Sequence, residues 1–180
     1  MTAHPVSVRA GNPADDAERD ALVSRLPLGT IFHLSGWERS VESVFGHARR
    51  TLLAFRHDQL VGVLPLMQCP ALIGPPSLIS MPYGVYGGPL GVDSEAELAL
   101  SKAAADMARS EGLGRLEMRL RQDPGCDWAR SDLYATFVRT LPEDRRASWR
   151  RCPRRPGRKR ARPARGMGSC WGRGVGTYPT

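Results

Sequence analysis

The chain has 180 residues, of which 41% are hydrophobic and 24% charged, so it can build one ordinary domain with a buried core. Its net charge of +8 is unevenly spread: residues 145–180 hold 12 Arg and Lys and no Asp or Glu, leaving 14 basic against all 18 acidic residues in the first 144, a net of −4. That excludes a generally basic nucleic-acid-binding fold for the body. No run of 18 apolar residues exists, and the first twenty residues lack a charged stretch followed by an apolar one, so neither a membrane span nor a signal peptide is expected and a cytoplasmic location is.

Val6–Ala10 is a short strand candidate. Asn12-Pro13 then opens a helix, with Asn as cap, Pro at the first helical position and Asp15 and Asp16 at the positive end. Ala17, Ala21 and Leu22 give it an apolar face. Ser35-Gly-Trp-Glu38 has the lettering of a capping box, and Trp37, Val41, Val44 and Phe45 follow as one helical stripe that Gly46 ends. Next, Thr51–Phe55 and Leu60–Met67 read as a β-hairpin joined by four polar residues, Arg56 to Gln59, with Pro65 bending the second strand or placing it at an edge. Leu78–Met81 is another short apolar run.

Ser94 and Glu97 form a second capping-box pattern, opening an Ala-rich helix to about Glu111 with Leu100, Ala103, Ala104 and Met107 on its buried face and Gly112 as its stop. Leu116–Leu120 alternates as a half-buried strand, and Tyr134–Val138 is a last strand. The order β-α-α-β-β-β-α-β-β predicts an α+β fold, a mixed and mainly antiparallel sheet flanked by helices, rather than a doubly wound parallel sheet. Arg145–Thr180 has four prolines, six glycines and no apolar period, so it is expected to be a disordered Arg/Gly/Pro-rich tail following a domain of residues 1–144. Its composition is also what a GC-rich reading frame read out of phase would encode, which predicts a frameshifted or otherwise non-native terminus. The competing reading is an arm that binds RNA or another polyanion.

Few chemical motifs stand out. Cys69, Cys126, Cys152 and Cys170 contain no C-x-x-C pair, so unpaired thiols are expected rather than zinc ligands or a disulfide framework, and the four histidines lie at no metal-ligand spacing. His33 and His47 flank the second helix, where packing or capping is the expected role. Arg109 to Gly114 spells R-x-x-G-x-G, but it follows a helix and precedes a strand, the reverse of what a phosphate-binding loop needs, so helix capping is expected there. The loop Ser80–Pro89 carries Tyr83, Tyr86, Gly84, Gly87 and Gly88, which lets a backbone approach a ligand closely and offers two flat aromatic faces. A tight structural loop is the alternative.

The stretches Thr30–Glu38, Leu60–Leu66, Tyr83–Pro89 (YGVYGGP), Leu116–Arg119 and Asp132–Phe137, taken in this order, resemble FemAB-like proteins of the GNAT acyltransferase superfamily, in the branch associated with PEP-CTERM/exosortase and exopolysaccharide systems. The resemblance covers about residues 6–144. It implies acyl or aminoacyl transfer to an amine of a cell-envelope or polysaccharide precursor, with acyl-CoA or aminoacyl-tRNA as co-substrate and no resident cofactor. It also implies that only the first of two GNAT-like domains is present, without the second that largely builds the donor pocket, and hence that this fragment is inactive alone. A ligand surface is expected around Tyr83, Tyr86, Gly87 and Gly88, with Trp37 and Arg119 as neighbours; Arg119 either offers a charge to an anionic substrate or simply faces solvent. Glu38 and Glu117 are the available carboxylates, and no residue stands out as a catalytic base.

Overall fold

The computed structural model describes residues 5–121, 128–129 and 131. The chain divides into two units, Met1–Ala129 and Arg130–Thr180, and every helix and strand described belongs to the first. The expected strand at Tyr134–Val138, the boundary after residue 144 and the basic segment lie outside the described residues.

Among the described residues three helices and eight strands form, in the order β1 (Ser7–Ala10), α1 (Asp16–Arg25), α2 (Ser35–Phe45), β2 (Ala48–Arg49), β3 (Leu52–Arg56), β4 (Gln59–Leu64), β5 (Met67–Cys69), β6 (Ser77–Ile79), β7 (Leu90–Gly91), α3 (Ser94–Ser110) and β8 (Arg115–Glu117). Short 3₁₀ turns precede α1 and α2. The architecture is α+β: two four-stranded sheets, β1-β3-β4-β7 and β2-β5-β6-β8, in which β6–β8 is the parallel pair and the other pairs are antiparallel.

The two sheets are successive halves of shared strands. The segments 48–56, 59–69 and 77–91 each contribute first to one sheet and then to the other. Pro65 sits at the break between β4 and β5; it has no N–H to give a ladder, so the strand changes sheet there. The hairpin turn is tighter than the four residues expected: β3 and β4 extend to Arg56 and Gln59, leaving His57-Asp58 between them with His57 at φ 57°.

Alternation along the first sheet divides its side chains between two helices. Leu53, Leu60, Val63 and Leu90 pack with Leu22 and Val23 of α1, while Leu52, Ala54, Val61 and Leu64 pack with Ala96, Leu100, Ala104 and Ala108 of α3. The alanines let α3 lie close, and at Gly62 a Cβ would already stand 3.0 Å from Leu100. A third cluster joins Val41 of α2 to Met67, Cys69 and Met81.

Both expected capping boxes are replaced. Asn12 does cap its turn, with Asp15 completing the reciprocal bond. Ser35, however, is already helical: its N–H and Oγ donate to Asp20 at 2.8 and 2.7 Å, so a residue fifteen positions away does the capping. Glu38 turns into the core. At α3 the cap is Asp93, whose carboxylate accepts from the Ala96 N–H at 3.0 Å. The α2 stripe is also only half buried: Val41 is covered, but Val44 and Phe45 are 71% and 49% exposed, because the helix runs past the third cluster. Gly46 (φ 68°) and Gly112 (φ 63°) end α2 and α3 as expected, which assigns the R-x-x-G-x-G lettering to helix termination.

Candidate functional site

The parallel pair β6–β8 determines where a cleft can form. Ser77, Leu78 and Ile79 lie opposite Arg115, Leu116 and Glu117. The pairing extends one step further, with the Ser80 N–H donating to the Glu117 carbonyl and the Arg119 N–H to Ser80 Oγ, both at 2.8 Å. Beyond it the chains part. Residues 81–89 cross to the other sheet, where Leu90 and Gly91 pair with Val63 and Gly62, while 118–121 leave the ladder and touch that segment at Gly84 and Gly88. The gap is a wedge, with a cavity of about 40 Å³ lined in part by His33, Tyr86, Gly88, Glu97, Arg119 and Arg121.

The wedge is tightly held. His33 is 4% exposed; its Nε2 bonds the Gly88 carbonyl at 3.0 Å, and its Nδ1 accepts the Thr30 N–H at 3.2 Å. The second bond requires the proton on Nε2. Burial holds this imidazole down to about pKa 4, against its bonds to Gly88 and Thr30, so it is neutral at pH 7. Thr30 Oγ1 donates to the Tyr86 carbonyl at 3.0 Å, so one 3₁₀ turn anchors two successive corners of the loop. Arg119 Nη1 donates to the Gly84 carbonyl at 2.7 Å and its Nε to Glu117 at 3.1 Å. The Arg121 guanidinium lies 5.6 Å from the Tyr86 ring centre, a cation–π distance. Glu97 accepts from the Gly91 N–H at 3.3 Å, and burial raises its carboxyl pKa.

Of the residues expected from sequence, the structure brings Tyr86, Gly88 and Arg119 to this wedge and places three others elsewhere. Gly87 lies behind the wedge, where a Cβ would be 2.5 Å from Met81 Cβ. Trp37 packs edge-on to Phe32 (centroids 5.1 Å apart) beside the third cluster, with its Nε1 buried and unpartnered. Tyr83, at φ 66°, turns outward and stacks on Phe45 at 4.1 Å, its hydroxyl 3.3 Å from His47 Nε2. Glu117 is paired with Arg115 and Arg119. Sequence reasoning missed Glu97 and Arg121 as wedge residues; nothing in their local pattern separates them from solvent-facing charges.

Glu38 heads a separate buried network. It is fully buried and accepts from Arg19, from Thr51 Oγ1 and from Arg49 at 3.2 and 3.3 Å; Arg19 also donates to the His33 carbonyl at 2.7 Å. A cavity of about 220 Å³ adjoins it, with Asp15, Asp16, Arg19, Glu42 and Arg49 among its walls. The inner charges of that cavity are committed to one another, so the network ties α1, α2, β2 and the start of β3 together. Among the described residues no group of three or more His, Cys, Asp or Glu could hold a metal ion.

A ribosomal-protein-alanine N-acetyltransferase from Brucella melitensis biovar Abortus 2308 is similar in structure over 76% of this chain and all of its own, at 17% identity and a TM-score of 0.52. The chain shares the fold of that acetyltransferase. A GNAT family acetyltransferase from Staphylococcus aureus (11% identity, 76% of this chain and 99% of its own, TM-score 0.46) and an aminoglycoside acetyltransferase from an uncultured soil metagenomic sample (11%, 76% and 97%, 0.48) are also similar. No protein-family model and no curated protein matches the sequence.

Proposed function

We propose that this GNAT-like chain is an acyltransferase-type domain of FemAB-like kind, serving transfer of an acyl or aminoacyl group to an amine of a cell-envelope or exopolysaccharide precursor. The observation that carries this is the wedge, where the parallel strands part beside Tyr86, Gly88, Arg119, Arg121 and Glu97. Transfer needs a group to take the amine proton and donors for the oxyanion formed at the carbonyl carbon. Glu97, its carboxyl pKa raised by burial, supplies the first kind of group, and the two guanidiniums the second.

The fit of an acyl-CoA or aminoacyl-tRNA donor is partial. At about 40 Å³ the cavity has room for no more than a few waters, and Leu120 fills the wedge against Gly88. A helix N-terminus can bind phosphate through its free amides. Here the Asp93 carboxylate already occupies the Ala96 N–H, Glu95 and Glu97 stand in the first turn, and Arg56 pairs with Asp93 and Glu95. Phosphate at α3 would meet carboxylates where its donors should be. This supports a division in which the donor's phosphates are held by a second domain, as the FemAB-like resemblance implies, and this chain alone turns over no donor.

Titration of the 180-residue chain with acetyl-CoA, followed by amide chemical shifts, tests this. The expected result is weak, local change at Gly88, Leu120 and Arg121, with Ser94 to Ala96 unmoved and no turnover. Saturable shifts at Ser94 to Ala96, or acetyl transfer by the chain alone, would overturn the division of labour. No change at the wedge would overturn its assignment as the acyl site.

A further inference from the structure

The loop between β5 and β6, Pro70-Ala-Leu-Ile-Gly-Pro-Pro76, takes no part in the wedge. None of its seven residues has a polar side chain. Leu72 and Ile73 at its tip are 101% and 92% exposed, the most exposed large apolar residues described. Its base is fixed: the Pro76 carbonyl accepts the Gly114 N–H at 2.9 Å, and Pro75 packs so closely on Gly114 that a Cβ there would lie 2.8 Å from it. Gly74, at φ 90°, makes the turn.

We propose that this loop inserts its tip into the interfacial layer of a lipid bilayer, so that the domain works at a membrane surface. Three features favour lipid over a protein partner. A stable protein interface buries about 800 Å² per partner, and two aliphatic side chains on a narrow tip supply a fraction of that. A fluid lipid layer, in contrast, closes around a tip of any shape. Insertion only as deep as the interfacial layer keeps the N–H groups of the tip, Ala71 to Gly74, within reach of water and headgroup oxygens, and Pro70, Pro75 and Pro76 at the base have no N–H to satisfy. The fixed base and the prolines also leave little ordering cost on insertion. Arg115, ion-paired with Glu117 but 66% exposed at its side chain, lies opposite Ser77 where β6 leaves the loop, on the side of the base that would face the headgroups. No described helix is long and apolar enough to cross a bilayer, so the association is superficial and reversible.

The test is co-sedimentation of the full chain with neutral phosphatidylcholine vesicles, on which the basic segment 145–180 has no charge to find. The double substitution Leu72→Ser/Ile73→Ser is expected to lower partitioning about tenfold or more, with folding unchanged because both side chains are outside the core. Leu72→Trp should add, over the signal of the four native tryptophans in the wild type, blue-shifted emission and quenching by brominated acyl chains when vesicles are added. Adding anionic lipid should strengthen binding in a salt-sensitive way without abolishing the dependence on Leu72 and Ile73. Equal partitioning of wild type and double variant, or an unshifted, unquenched Trp, overturns the proposal. A double variant that changes only the oligomeric state overturns it in favour of contact between copies of the chain.

Discussion

His33 offers a quantitative check on the anchoring of the wedge. Its imidazole is neutral in the fold because burial, in a site 4% exposed, disfavours the charged ring against its bonds to Gly88 and Thr30. In the unfolded chain a histidine titrates near 6.5. In the fold its pKa is about 4. A folded pKa below the unfolded one means stability present above about 6.5 and lost as pH falls towards 4, below which the contribution is constant. Each pH unit inside that window costs about 1.4 kcal/mol, so stability falls by about 2 kcal/mol between pH 7 and pH 5 and by about 3 in all. The window down to pH 5 precedes the bulk of carboxylate titration. Urea unfolding at pH 7, 6 and 5, on wild type and on His33→Gln, measures the effect. The glutamine variant should be less stable at pH 7, since its amide cannot meet both Gly88 and Thr30 with the ring's geometry, but should show a flatter pH dependence. Parallel slopes for the two proteins, or an imidazole titrating near 6.5 by NMR, would refute the assignment of a buried neutral ring.

Replacement of Glu38 by Ala leaves the buried Arg19 guanidinium without its carboxylate, and a loss of about 3–5 kcal/mol in chemical denaturation is expected, against less than about 1 kcal/mol for the exposed Glu42→Ala. At Gly88 a Cβ would lie 2.5 Å from Leu120 Cδ2 and 3.3 Å from the Arg119 carbonyl, so Gly88→Ala should cost about 1–3 kcal/mol in thermal or urea unfolding. Pairing it with Leu120→Ala should recover part of that loss, which a double-mutant cycle reads directly; additive losses would mean that the two residues are not in contact.

Much of the fold was legible because its causes are local. The Asn12-Pro13 start, the Ala-rich α3, the β3–β4 hairpin and the stops at Gly46 and Gly112 each follow from neighbours within a few positions. So does the bend at Pro65, whose missing N–H acts wherever the strand lies. The sequence patterns misled where a distant group outbid a near one. Ser35 and Glu38 have capping-box lettering, yet Asp20 takes the Ser35 N–H and Arg19 draws Glu38 into the core, and neither partner is visible in a four-residue motif.

The candidate site shows the same division more sharply. The loop 80–89 stood out by composition, and Tyr86 and Gly88 do line the wedge. Tyr83, three residues from Tyr86, does not, because a backbone at φ 66° sends its ring out onto Phe45. Glu97 and Arg121 read as surface charges until α3 and the end of β8 are set on either side of Gly88. The sequence by itself determined the three helices, the β3–β4 hairpin and the glycine-rich loop, since propensity, capping and alternation act over a few residues. Only the tertiary structure decided that β6 and β8, separated by a whole helix, pair for three residues and then part, because that depends on which sheet each strand end finds hydrogen-bond partners in.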